Sequence, residues 1–272
     1  MCKALHIVHS SYYKWLIRKP TKKEQMDQEL CQIIWEHHEE QKHILGYGQM
    51  TILMNRLSRT RYNEKRIRRL MRLMGISSII RRKRKGYIKS TPQITAENVL
   101  NRQFKANESD TKWLTDVTEF PIGKGGGKLY LSAILDLYDR RIVSYLVSNR
   151  NNSQLVNETF DRAVAKYPQA EPLFHTDRGF QYTSIQFKHK LNRVNAIQSM
   201  SRVGRCIDNG PMEGFWGILK TEMKHLYEYH TYEELKMAIS NYIDFYNNHR
   251  YQAKLKGLSP MEFRVQALKK VN

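Results

Sequence analysis

The chain has 272 residues and a formal net charge of +20, with 46 Lys/Arg against 26 Asp/Glu. This length suits one large domain or two smaller ones, and the excess of positive charge predicts a polyanionic partner such as DNA. No segment is apolar enough for a transmembrane span. Three cysteines (Cys2, Cys31 and Cys206) stand at unrelated spacings, which argues against a zinc finger. We therefore expect a cytoplasmic protein without membrane attachment.

The first 80 residues have the pattern of a small all-helical domain. Apolar residues recur at helical spacing in three segments, which are residues 27–43, residues 49–57 and a stretch that begins at Tyr62. Opposite its apolar face, the third segment carries the cations Arg68, Arg69 and Arg72. Short helices joined by a tight turn, the second one basic, predict a helix-turn-helix-like DNA-binding domain over residues 1–80. An ordinary solvated basic helix is the alternative.

A run of five cations follows this domain. Its members are Arg81, Arg82, Lys83, Arg84 and Lys85. Like charges at this density repel one another and do not pack, which favours contact with phosphates. We therefore predict a basic linker over residues 81–107 that lies on DNA; a nuclear localisation signal is the usual alternative for such a run.

From residue 108 the pattern changes to strands and then alternates between helices and strands. In chain order we predict strands 113–120, 129–137 and 142–147, helix 153–166, strand 173–176, helix 184–191, strand 196–199, and helices 211–226 and 232–246. Three hairpin-linked strands followed by alternating helices and strands predict an α/β fold of the ribonuclease H-like class. This core, a mixed five-stranded sheet with helices, would span residues 108–247 and leave 248–272 as a C-terminal tail.

Three carboxylates occupy positions where these elements could bring them together. Asp116 lies inside a predicted strand, Asp177 follows another strand, and Glu213 opens a predicted helix. Acidic side chains that converge from separate elements form a site for Mg²⁺, with Mn²⁺ as a substitute, and a metal pair suits phosphodiester chemistry. We predict these three as metal-binding and catalytic residues. For Asp136 and Asp208 we expect capping or turn roles.

The residues around these carboxylates resemble the integrase core of DDE transposases. The stretches that carry the resemblance are WLTDVT at 113–118, HTDRGFQY at 175–182, SMS at 199–201, and Asp208, Asn209 and Glu213. Over nearly its whole length, the chain is similar to the second-reading-frame (OrfB) proteins of bacterial insertion sequences. The N-terminal stretch from Gly46 to Met71 resembles the helix-turn-helix-like region of that family, and residues 248–263 resemble its closing segment.

This resemblance implies a transposase that cleaves and joins DNA at the ends of an insertion sequence. It implies that the three carboxylates bind two Mg²⁺ ions and that the partners are double-stranded transposon ends and target DNA. It further implies a homo-oligomer on DNA, association with the upstream-reading-frame protein or a frameshift fusion with it, and a location at the bacterial nucleoid.

Further DNA contacts are expected near the predicted site. Lys220 lies two helical turns after Glu213 on the same face, and Arg205 lies in the segment before that helix. Gln181, with Tyr182 beside it, follows Asp177 in a predicted loop and is expected to touch the DNA end. For Lys220, a solvated lysine is the alternative.

Two other functions remain open at this point. One is a DNA-binding regulator whose nuclease-like domain is inactive, against which the intact carboxylates argue. The other is a nuclease of the same fold that cleaves RNA in hybrids, which leaves the basic N-terminal segment unexplained.

Overall fold

The computed structural model describes residues 8–58, 60–78, 96–123, 127–202, 206–227 and 229–269. The chain divides into two compact units, residues 1–78 and residues 79–272. Within the described ranges, no helix combines the length and apolar composition that crossing a membrane requires. The basic run at residues 81–85 and Arg205 lie outside the described residues.

The first unit is helical, as its sequence predicts. Its helices are α1 (His9–Leu16), α2 (Lys22–Glu40), α3 (Tyr47–Leu57) and α4 (Glu64–Leu73). Helix α2 begins before the predicted residue 27 because Thr21 and Glu24 form a capping box. Helix α4 begins where predicted, with the Asn63 side chain accepting the backbone N–H of Lys65 at 2.8 Å. Apolar side chains from α2, α3 and α4 are buried, namely Leu30, Ile34, Met50, Met54, Ile67, Leu70 and Met71.

The second unit is built on the predicted mixed sheet of five strands. The strands are β1 (Lys112–Pro121), β2 (Lys128–Asp136), β3 (Ile142–Ser148), β4 (Leu173–Thr176) and β5 (Ile197–Met200). Their order across the sheet is β3-β2-β1-β4-β5. The pairs β1–β2 and β2–β3 are antiparallel, whereas β1–β4 and β4–β5 are parallel. Strand β1 therefore lies at the centre, flanked on one side by a hairpin and on the other by parallel strands.

Helices cover both faces of this sheet. They are α5 (Ser153–Lys166), α6 (Ile185–Arg193), α7 (Gly210–Leu226), α8 (Tyr232–Asn248) and α9 (Pro260–Leu268). Leu114 belongs to a buried cluster with residues of α7 and α8, and its neighbour Trp113 to a second cluster with residues of α5 and α6. Because consecutive side chains of a strand point to opposite faces, these two clusters are the two cores on either side of the sheet.

The segments on either side of the predicted core are more structured than a linker and a tail suggest. Residues 248–272, predicted as a tail, contain α9, whose N-terminus is a capping box between Ser259 and Glu262 with Pro260 in the first turn. Arg264 of this helix forms ion pairs with Asp110 at 2.7 Å and with Asp139 at 3.2 Å. At the end of the predicted linker, Leu100 is buried in the core next to α7.

A buried polar cluster holds α7 against α8. Glu222 of α7 accepts hydrogen bonds from the Arg250 guanidinium, with the closest contact at 2.8 Å, and from the Tyr242 hydroxyl at 2.8 Å. All three side chains are largely shielded from solvent. Removing one member of a buried ion pair leaves the other charge uncompensated, so this cluster is sensitive to loss of either partner.

We predict that Glu222→Gln, which keeps the side-chain shape, lowers the free energy of unfolding by about 3 kcal/mol because Arg250 loses its counter-charge. Urea unfolding followed by circular dichroism measures this change. The matched control is Glu119→Gln, which breaks the pair with Lys128 at 3.0 Å. Both side chains of that pair are exposed, so solvent screening leaves a far smaller effect. Equal losses in the two variants would contradict the importance of the buried cluster.

Candidate active site

Asp116 lies in the middle of β1, at the centre of the sheet, and its side chain is half-buried. Its Oδ1 accepts the backbone N–H of Val117 at 2.8 Å, and its Oδ2 accepts the indole N–H of Trp216 at 3.0 Å. Burial, followed by the negative charges of Asp177 and Glu213, raises the pKa of Asp116 to about 7, even though the two hydrogen bonds act to lower it. A cation next to this carboxylate would therefore stabilise its ionised form.

Asp177 is brought to Asp116 by the parallel pairing of β1 with β4. The ladder pairs Lys112 with Leu173 and Leu114 with His175. Continuing this register by two residues sets Asp177 beside Asp116, on the same face of the sheet. Burial raises the pKa of Asp177, whose Oδ1 accepts the backbone N–H of Gly179 at 2.9 Å.

Gly179 is required by the close packing of this turn. A Cβ at this position would lie 2.7 Å from Oε1 of Gln181 and 3.0 Å from Oδ1 of Asp177. Both distances are shorter than ordinary carbon–oxygen contacts, so a side chain would displace the carboxylate. The glycine in the HTDRG stretch therefore lets the backbone N–H reach Asp177.

Glu213 lies in the first turn of α7 and is exposed. Helix α7 is preceded by Asn209, whose buried side-chain amide donates to the backbone carbonyl of Thr115 at 3.1 Å. This bond fixes the start of α7 next to β1, one residue before Asp116. The structure thus brings the three predicted carboxylates into one electrostatic neighbourhood, since the charges of Asp177 and Glu213 both act on Asp116.

The chemistry of these donors fits a hard divalent cation. Three carboxylates supply the oxygen ligands that Mg²⁺ prefers, and their mutual repulsion, seen in the raised pKa of Asp116, would be relieved by a cation. Each oxygen of Asp116 accepts one hydrogen bond and keeps a second lone pair for a ligand role. Across the described ranges, however, no three His, Cys, Asp or Glu side chains lie close enough together to hold a metal ion as they stand.

A layer of buried polar side chains supports the strand that carries Asp177. His175 of β4 lies between two serine hydroxyls, with Nδ1 at 2.9 Å from Ser199 Oγ and Nε2 at 3.0 Å from Ser201 Oγ. Ser199 also accepts the backbone N–H of Leu100 at 3.0 Å. The imidazole is fully buried, and this burial lowers the pKa of His175 to about 4. It is therefore a neutral brace between β4 and β5.

Asp208 has a larger role than the turn expected from the sequence. Arg102 contacts its Oδ1 at 2.6 Å and Arg202 contacts its Oδ2 at 2.9 Å, and the carboxylate is fully buried. Hydrogen bonds from Arg202 hold the pKa of Asp208 well below its usual range. The ion pairs join the segment before β1 to the segment before α7. Asp136 does fit the expected capping role, since it accepts the backbone N–H groups of Asp110 and Tyr138, each at 2.7 Å.

Gln181 and Tyr182, expected to touch the DNA end, are instead part of the protein interior. Gln181 is 6% exposed, and its amide donates to Asn151 Oδ1 at 2.6 Å. Tyr182 is buried in the core beneath α5 and α6, with its hydroxyl 3.3 Å from Thr115 Oγ1. These contacts bury the side chains of the loop after Asp177. The sequence of the loop gives no sign of this burial. The expected contact with DNA is therefore corrected for both residues.

Lys220 is better placed for a contact with DNA. It lies on α7 at half-buried depth, with its ammonium nitrogen 5.2 Å from the centre of the Phe120 ring. Phe120 belongs to β1, so this contact sets the ammonium group beside the strand that carries Asp116. Its position two turns after Glu213 agrees with the sequence-based expectation, and its role in DNA binding stays a prediction.

In the helical unit, the basic face of α4 is divided between internal and outward contacts. Arg66 and Arg69 both bind Asp27 of α2, at 2.7 Å and 2.5 Å. The guanidinium of Arg68 lies 5.1 Å from the centre of the Tyr47 ring of α3. Arg72 is exposed in the last turn of α4. The ion pairs with Asp27 lock the second helix of the helix-turn-helix pair against α2, and they were not expected from the sequence.

The sequence analysis missed three residues that shape the site. Trp216 lies in the core, and its indole N–H donates to Asp116. His175 and Asn209 were noted only as parts of motifs. A signal for Asn209 is its place immediately before Gly210-Pro211 at the start of a helix, where side-chain amides commonly bind backbone groups.

We predict that His175 makes the protein sensitive to acid. Because the folded-state pKa lies below the unfolded value of about 6.5, stability is complete above pH 6.5 and falls as the pH drops towards 4, by at most about 3 kcal/mol. His175→Gln cannot take up this proton, so its unfolding free energy should depend less on pH over that interval. Urea unfolding from pH 8 to pH 4 measures the difference.

The control for this experiment is His189→Gln, on the exposed surface of α6. It should retain the pH dependence of the wild-type protein. Parallel curves for His175→Gln and wild type would show that the buried imidazole is not the acid-sensitive group.

Known protein families match both units of the chain. Family models for an integrase core domain match residues 106–206 and 213–268. The first match includes Asp116 and Asp177, and the second begins at Glu213. A family model for an HTH-like domain matches residues 25–84. These matches agree with the two units of the structure and with the sequence-based interpretation of each.

Several curated relatives resemble the chain over most of its length. It is 36% identical to the putative transposase InsK for insertion sequence element IS150 of Escherichia coli over 98% of this chain and 93% of that protein. It is 37% identical to the transposase for insertion sequence element IS904 of Lactococcus lactis over 74% of this chain and 80% of that protein. A probable transposase for IS1353 of Shigella flexneri is 34% identical over 96% of this chain, which corresponds to 50% of that longer protein.

Among solved structures, the catalytic core domain of the HTLV-2 integrase in complex with magnesium has a related arrangement. It is 18% identical, with a TM-score of 0.46, over 59% of this chain and 99% of that domain.

Proposed function

This chain belongs to the family of insertion-sequence transposases with an integrase core, and from that membership we propose that it catalyses metal-dependent DNA cleavage and strand transfer at the ends of an insertion sequence. The observation that supports the proposal best is the parallel register that sets Asp177 beside Asp116, with α7 starting next to β1 and the charge of Glu213 acting on Asp116. All three lie within the matched integrase core regions. The reaction belongs to the polynucleotidyl transferase class.

We propose Asp116, Asp177 and Glu213 as the DDE residues that would hold divalent metal ions, Mg²⁺ or its substitute Mn²⁺. When bound, a metal pair activates the attacking oxygen and stabilises the leaving oxygen of a phosphodiester. The protein's own part is positioning: the parallel register of β1 and β4 aligns the two aspartates, and the Asn209 bond to Thr115 sets the start of the helix with Glu213. Since Glu213 is exposed, it remains accessible to a metal-bound DNA end.

The substrate in this proposal is double-stranded DNA, both as transposon end and as target. Lys220 supplies a cation on the helix of Glu213, and Arg68 and Arg72 supply cations on α4 of the HTH-like unit. Arg69 contributes less because Asp27 compensates its charge. The basic residues Arg81, Arg82, Lys83, Arg84, Lys85 and Arg205, outside the described residues, remain proposed contacts.

The assembly is proposed as a homo-oligomer on DNA, because strand joining requires two ends held together. The upstream-reading-frame protein, or a frameshift fusion with it, is proposed as a further partner. Support comes from the relative in Shigella flexneri, in which the region similar to this chain is half of a longer protein. We place this activity at the nucleoid of a bacterial cytoplasm.

We predict that the protein joins a pre-cut duplex of its element's terminal sequence to a plasmid in the presence of Mg²⁺ or Mn²⁺. Glu213→Gln keeps the side-chain shape but removes the ligand charge, so joining should fall by at least about 100-fold. Gel analysis of labelled ends measures joining. The matched control is Glu233→Gln in the exposed first turn of α8, which should join DNA as the wild type does.

The same experiment separates the regulator alternative from the transposase. Binding of the end without joining, in wild type and Glu213→Gln alike, would contradict a catalytic role for this chain alone. Repeating the reaction with the upstream-reading-frame protein would then show whether that partner is required. Cleavage of RNA in hybrids, without joining of DNA, would favour the nuclease alternative.

The contribution of the HTH-like unit to DNA binding can be tested at Arg72. Arg72→Ala removes an exposed cation of α4, so it should weaken binding to terminal DNA and reduce the slope of log affinity against log salt by about 1. Fluorescence anisotropy at several salt concentrations measures both effects. Arg162→Ala, at an exposed position of α5 in the other unit, serves as the control and should leave the slope unchanged. Equal slope losses would show that general charge, not α4, governs binding.

A further inference from the structure

Trp216 connects the helix of Glu213 directly to the carboxylate of Asp116. The indole N–H donates to Asp116 Oδ2 at 3.0 Å, while the ring is 7% exposed and packs against Phe215 with ring centres 5.1 Å apart. Buried indole N–H groups usually find an acceptor, but backbone carbonyls and structural polar groups can serve that purpose. Here the acceptor is the most central of the three candidate metal ligands.

The hydrogen bonds of Asp116 define the plane of its carboxylate. The Val117 N–H donates to Oδ1 at 2.8 Å and the Trp216 N–H donates to Oδ2 at 3.0 Å, so each oxygen is held by its own hydrogen bond. A carboxylate held at both ends cannot rotate freely about its last torsion. The lone pairs that remain therefore point in fixed directions, which is the arrangement a metal with strict geometry requires.

The same contact also fixes α7. Asn209 binds the Thr115 carbonyl at 3.1 Å, and seven residues later Trp216 binds the next residue of β1. Asn209 caps the N-terminus of α7 and Trp216 lies about two turns into the helix, so the first two turns are attached to β1 at both ends. Glu213 lies between these two attachment points, one turn before Trp216. The distance of Glu213 from Asp116 is thereby set by a helix fastened to β1 at both ends of the relevant stretch.

We propose that Trp216 is a positioning residue of the active site, whose indole N–H orients the Asp116 carboxylate and holds α7 so that Asp116 and Glu213 can bind the same divalent cation. This inference rests on the proposed function. It assigns to the side chain a role beyond core packing, because the essential group is the N–H and not the ring. Loss of such an outer hydrogen bond to a ligand typically weakens metal binding about 10- to 100-fold.

The test compares Mn²⁺ binding to the full-length protein by isothermal titration calorimetry and by electron paramagnetic resonance of free Mn²⁺. Trp216→Phe keeps an aromatic ring but lacks the donor, and we expect Mn²⁺ binding about 10- to 100-fold weaker than in the wild type. The chain offers a matched control in Trp113→Phe. That buried indole also donates to an aspartate, Asp136, at 3.3 Å, but Asp136 is not a proposed ligand. Its loss should leave Mn²⁺ affinity within about threefold of the wild type.

A third variant separates orientation from packing. Trp216→Gln restores an N–H donor but loses the ring, so it should be less stable to urea than Trp216→Phe and yet bind Mn²⁺ more tightly. If the role were only structural, stability and Mn²⁺ affinity would fall in the same order. Should Trp216→Gln fail to fold, the comparison of Trp216→Phe with Trp113→Phe still decides.

Two results would overturn the inference while leaving the proposed function intact. These are Mn²⁺ binding by Trp216→Phe within threefold of the wild type, and an equal loss in Trp216→Phe and Trp113→Phe. Absence of Mn²⁺ binding in the wild type, with no difference from Glu213→Gln, would instead contradict the proposed metal site and the inference together.

Discussion

The parallel pairing of β1 with β4 is the constraint on which the rest of the candidate site depends. It sets Asp116 and Asp177 side by side at the point where β4 ends. Because both carboxylates are shielded from water, solvent screens the repulsion between their negative charges only in part. Burial and mutual repulsion then raise the pKa of Asp116 to about 7. A protein tolerates such a cost where the site is to receive a cation, since metal binding converts repulsion between ligands into attraction. The register of one short ladder thus sets the two aspartates side by side, as the proposed metal site requires.

Around this centre, the structure uses uncharged or paired polar groups to hold the carboxylates in place. His175 is neutral and braces β4 against β5, Asp208 is compensated by two arginines, and Asn209 attaches α7 to β1. His175 and Asn209 carry no charge, and the negative charge of Asp208 is compensated by Arg102 and Arg202. The uncompensated negative charge is therefore concentrated on the three carboxylates, and the groups that support them add none. Such a division between charged ligands and neutral supports is expected of a preorganised site.

In the helical unit, the arginines of α4 likewise divide into those that form internal ion pairs and one that is exposed. Asp27 binds Arg66 and Arg69 and so fixes the helix, whereas Arg72 remains exposed. A basic helix is thereby both anchored within its own unit and able to present charge to DNA. The surface charge that the sequence predicts for this helix is consequently larger than the charge that the folded unit offers to a partner.

Features of this structure that depend on neighbouring residues could be predicted from the sequence, whereas contacts between residues far apart in the chain could not. Local patterns sufficed for the strands and helices of the core: helix 153–166 and strand 173–176 were predicted with the bounds that the structure has. The sequence also singles out the three carboxylates, because each stands at a recognisable strand centre, strand end or helix start, and their role as metal ligands stays a proposal. Helix α9 was missed although its capping box is visible in the sequence, since a segment after the last motif was interpreted as a tail.

What local patterns could not predict are contacts between residues far apart in the chain. The bond from Trp216 to Asp116 spans 100 residues, and the pairs of Asp208 with Arg102 and of Asn209 with Thr115 span similar separations. Gln181 and Tyr182 look like loop residues and are buried, because their environment is made by α5, α6 and β1. The sequence by itself determined the type of each element and the chemistry of the ligands, since periodicity and side-chain character are local properties. Only the tertiary structure decided which side chains hold those ligands in place, because that depends on the register and packing of distant elements.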